Sequence, residues 1–383
     1  MERPRLVENW QRSYQIISLV IYSNKHHHLL VNIIMGSLRI FFAMSVLLGH
    51  IQINYLISPI YAVQGFYIIS GFYMSLILNE KYISSDNNLL FYKKRFMRLL
   101  PTYWLIAAFS IIIAVLFYYK GESNILFFDF HNFPDNAGLT TWIYIFITNI
   151  IVWGQDLALF MGISPETGNI FLSTSSFAED YPMLRYMAIP VAWSVSSEFT
   201  FYLIAPYILR NRRKLVFSLF LLSAISNILT NFWGLNDSNW RFRFFPSILM
   251  YFLSGYYAYI LYSKISTHKP PTKYKYACII SSISALTIIL HLNIPYAIHS
   301  ISLLCICTTT IPYLFYSFKK DTNDRAFGEM SYPLYLIHPV FIGINELLGI
   351  NSHCFVIIFS LVAAYCCYRF FIIRMEIIRS HIQ

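Results

Sequence analysis

Long apolar runs separated by short polar stretches are the dominant pattern along the chain. Eleven can be marked, at residues 36–57, 58–78, 100–119, 141–161, 190–209, 215–231, 244–262, 276–290, 298–318, 332–349 and 354–373. A helix needs ~20 mostly apolar residues to cross the hydrocarbon core of a bilayer. Any spanning segment must satisfy its own backbone hydrogen bonds, which leaves helices or a closed barrel. The length and unbroken apolarity of these runs predict helices. The chain therefore reads as an all-α polytopic integral membrane protein.

The polar stretches between runs set the expected topology, because Lys and Arg concentrate on the cytoplasmic side. With the N-terminus inside, the connection 79–99 is inside, carrying Lys81, Lys93, Lys94, Arg95 and Arg98. If run 141–161 crossed fully, RNRRK at 210–214 would fall outside. Parity is restored if that run is re-entrant or half-buried. About ten crossings remain, and both termini are cytoplasmic. All but Lys120, Arg185, Arg241 and Arg243 of the 28 Lys and Arg residues then lie inside. Residues 1–35 read as an interfacial lead-in and residues 36–383 as one membrane domain.

Composition agrees. The chain is 57% hydrophobic and only 12% charged, about half the ~25% usual for soluble proteins. Its net charge of +10 follows from topology and does not suggest a nucleic-acid partner. The six cysteines fall in apolar runs without metal spacing and read as small core residues. His26, His27 and His28 read as a solvated turn, and no metal is expected.

Against this background the polar residues inside runs stand out. RIFFAMSVLLGH puts Arg39 and His50 eleven residues apart, on one helix face and ~16 Å apart along the axis. They read either as a functional pair or as a snorkelling Arg and a structural His. Arg95 and Arg98, at i and i+3, can grip a phosphate through bidentate forks or simply anchor the chain at the interface. Glu198 is the only charge in its run, with Trp193 and Ser194 beside it. It could orient an imidazole, bind a sugar hydroxyl or tie helices together. His338, before Pro339, could line the bundle interior or be structural. Arg241 and Arg243, in NWRFRFFP, sit at the expected outer mouth, facing an anionic or glycan acceptor or lipid headgroups. The long Ser/Thr-rich loop 162–189 could shape an opening there.

In this order, these segments resemble the family-3 membrane acyltransferases, the group that includes bacterial surface-polysaccharide O-acetyltransferases. The resemblance covers about 36–373. It rests on Arg39-x10-His50, VQGFYIISGF at 63–72, Arg95-x-x-Arg98, WSVSSEFTFYL at 193–203 and SYPLYLIHP at 331–339. Two positions depart from it: Gln64 stands where an Asp is usual, and a usual acidic pair is reduced to Glu198 followed by Phe199. The family's trailing esterase-like domain is expected to be absent, leaving a stand-alone transferase.

The resemblance implies an inner-membrane enzyme of a bacterium. It would move an acetyl group from cytoplasmic acetyl-CoA to a hydroxyl of a surface or lipid-linked glycan outside. It implies His50, Arg39 and Glu198 in catalysis, and Arg95, Arg98 and Arg39 on the donor. Ser194, Arg241, Arg243 and His338 would meet the acceptor. The alternative is a transporter or flippase of glycan precursors. Such proteins often carry internal repeats, and no repeat is seen here. Acetyl-CoA consumption separates the two. The sequence does not fix the acceptor sugar or the oligomeric state.

Overall fold

The computed structural model describes residues 35–53, 56–84, 87–122, 128–232, 238–268, 273, 275–319 and 321–382. The predicted lead-in, with His26–His28, lies outside the described residues except for Met35. The described chain is almost wholly helical. In order come α1 (Gly36–His50), α2 (Pro59–Glu80), α3 (Asn88–Lys120) and α4 (Leu139–Ile151). A short antiparallel hairpin follows, β1 (Met161–Ile163) and β2 (Ile170–Leu172). Then come α5 (Trp193–Ile208), α6 (Arg213–Phe232), α7 (Ser238–Phe242), α8 (Phe245–His268), α9 (Lys275–His291) and α10 (Tyr296–Phe318). Last are α11 (Thr322–Leu347), α12 (His353–Cys366), a π-helical stretch (Cys367–Ile372) and α13 (Ile373–Ser380).

Six helical stretches among the described residues are long and apolar enough to cross a membrane: α2, α3, α6, α7–α8, α10 and α12–α13. The remaining runs differ from expectation for local reasons. Helix α1 ends at His50 instead of continuing to residue 57. Helix α4 has 13 residues, roughly 20 Å of helix, short of the ~30 Å core, which agrees with the expected run that does not cross. Helix α5 has 16 residues, and α11 is diluted by its Tyr, Pro, Asn and Glu residues.

Helix α2 is the centre of the bundle: 83% of its apolar window is buried, against 22% for α6 and for the α12–α13 stretch, which form the perimeter. Its closest neighbour is α8. A Cβ added at Gly71 would lie 1.8 Å from the Phe252 carbonyl, and one at Gly255 would lie 2.3 Å from the Ile68 carbonyl. Small residues let membrane helices approach at the backbone, where packing replaces the hydrophobic effect as the source of association. Gly71→Val should therefore destabilise the fold by about 1–3 kcal/mol or more, read as a lower thermal midpoint in detergent. An unchanged midpoint would contradict this crossing.

Helix α1 is pinned at its start by α11. The Asp324 carboxylate accepts from the Gly36 and Ser37 amides, both at 2.8 Å, and from the Ser37 hydroxyl. An anion there satisfies otherwise orphaned N–H groups and complements the helix dipole.

The basic segments gather at this same end. Arg210 Nε donates to the Tyr82 carbonyl. Arg325 pairs with Glu376. Lys81, Lys94, Arg95 and Arg379 lie within electrostatic range of one another.

At the opposite end, α4, the hairpin and the following turns form a cap with its own apolar cluster, including Ile145, Leu159, Phe160, Met183 and Tyr186. Ser196 ties α5 to this cap by donating to Asp156 at 2.6 Å. Burial raises the Asp156 carboxyl above the ordinary carboxylate range. The cysteines divide: Cys307 is buried, but Cys305, Cys354 and Cys366 are exposed on helix surfaces and do not belong to the core.

Candidate active site

Helix α1 carries both residues of the Arg-x10-His spacing, with Arg39 in its first turn and His50 as its last residue. Around Arg39 the bundle encloses about 710 Å³ of atom-free space, mouth included. Arg39, Arg95 and Arg98 all line it, so the i, i+3 face of α3 and the first turn of α1 converge as their spacing predicts. Arg98 pairs with Glu329 at 3.3 Å. Arg95 Nε is buried without a hydrogen-bond partner, and no side-chain partner holds Arg39 among the described residues. With Glu329 engaged by Arg98, the three guanidiniums outnumber the carboxylates at this void, which favours a further anion.

Glu198 lines the same cavity. It accepts from Ser70 Oγ at 2.5 Å and from Tyr202. It shares that cavity with Arg39, Arg95 and Arg98, and neither Arg241 nor Arg243 lines it. Five residues into α5, it has descended past the cap to the level of the arginines.

Towards the cap, Phe66, Ser194 and Tyr335 line the cavity. Ser194 Oγ lies 2.7 Å from the Tyr335 hydroxyl, which also donates to the Val191 carbonyl at 2.9 Å. The Tyr335 ring is 6.1 Å from that of Phe66 and 6.1 Å from that of His338. One aromatic layer thus separates the cavity from two histidines.

Those two histidines form a pair. His50 Nδ1 lies 2.7 Å from His338 Nε2, with the rings stacked at 5.0 Å. His338 is fully buried and meets His50 from inside the bundle. Its Nδ1 lies 3.2 Å from the Leu334 carbonyl. The following Pro339 lacks an N–H and so leaves the Tyr335 carbonyl, one residue beyond Leu334, without its helical partner. A carbonyl only accepts, so His338 Nδ1 carries a proton. In the neutral pair His338 Nε2 then accepts from His50 Nδ1–H. That leaves His50 Nε2 as an unprotonated lone pair at the exposed end of α1.

Arg241 and Arg243, expected together at one mouth, separate. Arg243 Nη1 donates to Asn239 at 2.7 Å and its guanidinium lies 5.2 Å from the Trp193 ring centre. It is within electrostatic range of His50 and Tyr335. Arg241 instead stacks on Tyr296, 3.9 Å from the ring centre, in a separate cluster with Tyr61 and His299.

Sequence reasoning missed Glu329, Tyr202 and Tyr335. Glu329 precedes the marked run by three residues, where nothing in the spacing links it to Arg98. Both tyrosines sit among many in apolar runs, with nothing local to single them out.

The described chain is thus a bundle of apolar helices with an imidazole pair near one end of an arginine-lined cavity. The family model described as an acyltransferase domain, that of acyltransferase family 3, matches residues 33–372, and the chain belongs to that family. No curated protein and no solved structure gives a significant match.

Proposed function

We propose that the protein transfers an acetyl group from cytoplasmic acetyl-CoA to a hydroxyl of a surface or lipid-linked glycan outside a bacterial inner membrane. Ten crossings and cytoplasmic termini complete the reading; the gathering of the basic segments at one end supports it. The observation that carries it is the sharing of one cavity by Arg39, Arg95 and Arg98, whose far end stops one aromatic layer below His50. A polyanionic nucleotide suits the arginine end. A narrow thioester arm suits the passage between Tyr67, Ser194 and Tyr335.

In the transfer step the acceptor oxygen attacks the thioester carbon while His50 Nε2 takes the hydroxyl proton. The carbon–sulfur bond breaks, and the leaving thiolate takes the proton from the His50 imidazolium, which restores the neutral imidazole. A covalent route gives His50 Nε2 the acetyl group first. Arg243, near His50, is placed to meet the acceptor. Glu198 belongs to the donor side by its position, so Glu198→Gln should impair donor binding and transfer together.

The test is acetyl transfer from acetyl-CoA by purified protein in detergent. Acetyl-CoA left unconsumed with every glycan acceptor offered, alongside glycan movement across vesicles, would replace the reading with a transporter. Arg95→Ala and Arg98→Ala should each weaken acetyl-CoA binding roughly tenfold or more, since hydrogen bonds to charged groups contribute about 1.5–3 kcal/mol. Lys at either position should restore only part of it, because the bidentate fork is lost. Unchanged affinity in both folded variants would return these residues to interfacial anchoring.

A further inference from the structure

Beside the main cavity lies a second void of about 480 Å³, mouth included. Arg39, Arg98, Leu99 and Tyr332 line both. The far wall of the second is the last part of the chain: Ile372, Met375, Glu376 and Arg379. Their spacing of i, i+3, i+4 and i+7 is one helix face. The π-helical stretch before α13 changes the winding and aims that face.

The charges around this void do not balance. Arg98 has Glu329 at 3.3 Å. Arg379 Nη2 is 3.5 Å from Glu376, which Arg325 also engages. Arg39 brings a further guanidinium, and Arg379 is within electrostatic range of Arg98 and Glu329. Counting Arg325 on Glu376 and Glu198 within range of Arg39 and Arg98, four guanidiniums thus share three carboxylates in a half-buried setting. A guanidinium held by a long, shared contact exchanges it readily for a phosphate, which offers a bidentate, doubly charged partner.

We infer that the second void receives the phosphate-bearing end of the donor, and that Arg379 binds a donor phosphate directly with α13 as the wall. This rests on the acyl-CoA reading above. Arg95, Arg98 and Arg39 then hold the donor from the α1–α3 side and Arg379 from the other.

The experiment is calorimetric titration of the purified full chain with coenzyme A, paired with transfer assays using acetyl-CoA and S-acetylpantetheine, which lacks the phosphates. Arg379→Ala should weaken coenzyme A binding about ten- to hundredfold and steepen no other defect: turnover of S-acetylpantetheine should match the parent. Arg379→Lys should recover part of the affinity. Arg374→Ala, an exposed position on α13 outside the void, should leave affinity unchanged. Melting curves establish that each variant is folded. Coenzyme A affinity lost in Arg95→Ala but unchanged in Arg379→Ala overturns the inference and leaves the donor reading standing. Equal loss with S-acetylpantetheine assigns Arg379 to the fold and also overturns it. A parent protein that does not bind coenzyme A overturns both.

Discussion

His50→Ala should reduce acetyl transfer by at least ~10²–10⁴-fold while leaving acetyl-CoA binding near that of the parent. The range is that of losing a general base; a covalent route would lose more. The reasoning joins three links. The α1 helix carries His50 on the face that begins at Arg39. The arginine-lined cavity opens around Arg39 and stops at Phe66 and Tyr335 beneath the imidazole pair. The hydrogen-bond chain from the Leu334 carbonyl through His338 leaves His50 Nε2 with its lone pair free. Removing the imidazole takes away the proton acceptor but none of the guanidiniums, so binding and chemistry separate. The measurement is turnover and calorimetric affinity on the same preparation. Transfer within a few-fold of the parent would make His50 structural and end the mechanism. Incubation with radiolabelled acetyl-CoA without acceptor divides the routes: label retained on the parent protein and missing from His50→Ala indicates an acyl-imidazole.

What was legible in the sequence depended on how local the signal was. Helix class followed from apolar run length. The Arg39–His50 face and the Arg95–Arg98 face follow from 3.6-residue geometry within one helix, and the structure brings both arginine faces to one cavity. Glu198 was visible as a lone carboxylate in an apolar run, but its level was not. Depth depends on where α5 begins, and the cap sets that through the Asp156–Ser196 contact. Span ends were less legible for a related reason. Whether α1 continues past His50 is decided by turn packing beyond the run itself, whereas the short α4 agrees with the charge-parity reading. Least legible were partners from distant segments. Glu329 meets Arg98 across 231 residues of chain, and His338 meets His50 across 288. Spacing carries no record of such pairs, and a single sequence offers no other.

His338 is where that lost information matters most, and its replacement should have the second-largest effect. With His338→Leu the shape is roughly kept, but His50 Nδ1–H loses its acceptor and His50 is no longer held in one tautomer or ring orientation. A catalytic imidazole deprived of its orienting acceptor by a substitution that leaves the geometry intact can lose ~10⁴-fold in kcat, as in the serine-protease triad. A neutral imidazole acceptor is weaker than a carboxylate, so a loss of about 10–10³-fold in kcat is expected here, with KM for acetyl-CoA little changed. His338→Gln is the informative companion. Its Oε1 can occupy the place of Nε2 and accept from His50, so it should regain a substantial part of the loss, whereas a purely structural histidine would not be rescued by a flexible amide. Orientation also predicts that the pH–rate profile of His338→Leu shifts relative to the parent, because the group that stabilises protonated His50 is gone. Steady-state rates across pH for the parent and both variants supply the check. If Leu and Gln lose the same activity and neither moves the profile, His338 packs the bundle and His50 finds its orientation elsewhere.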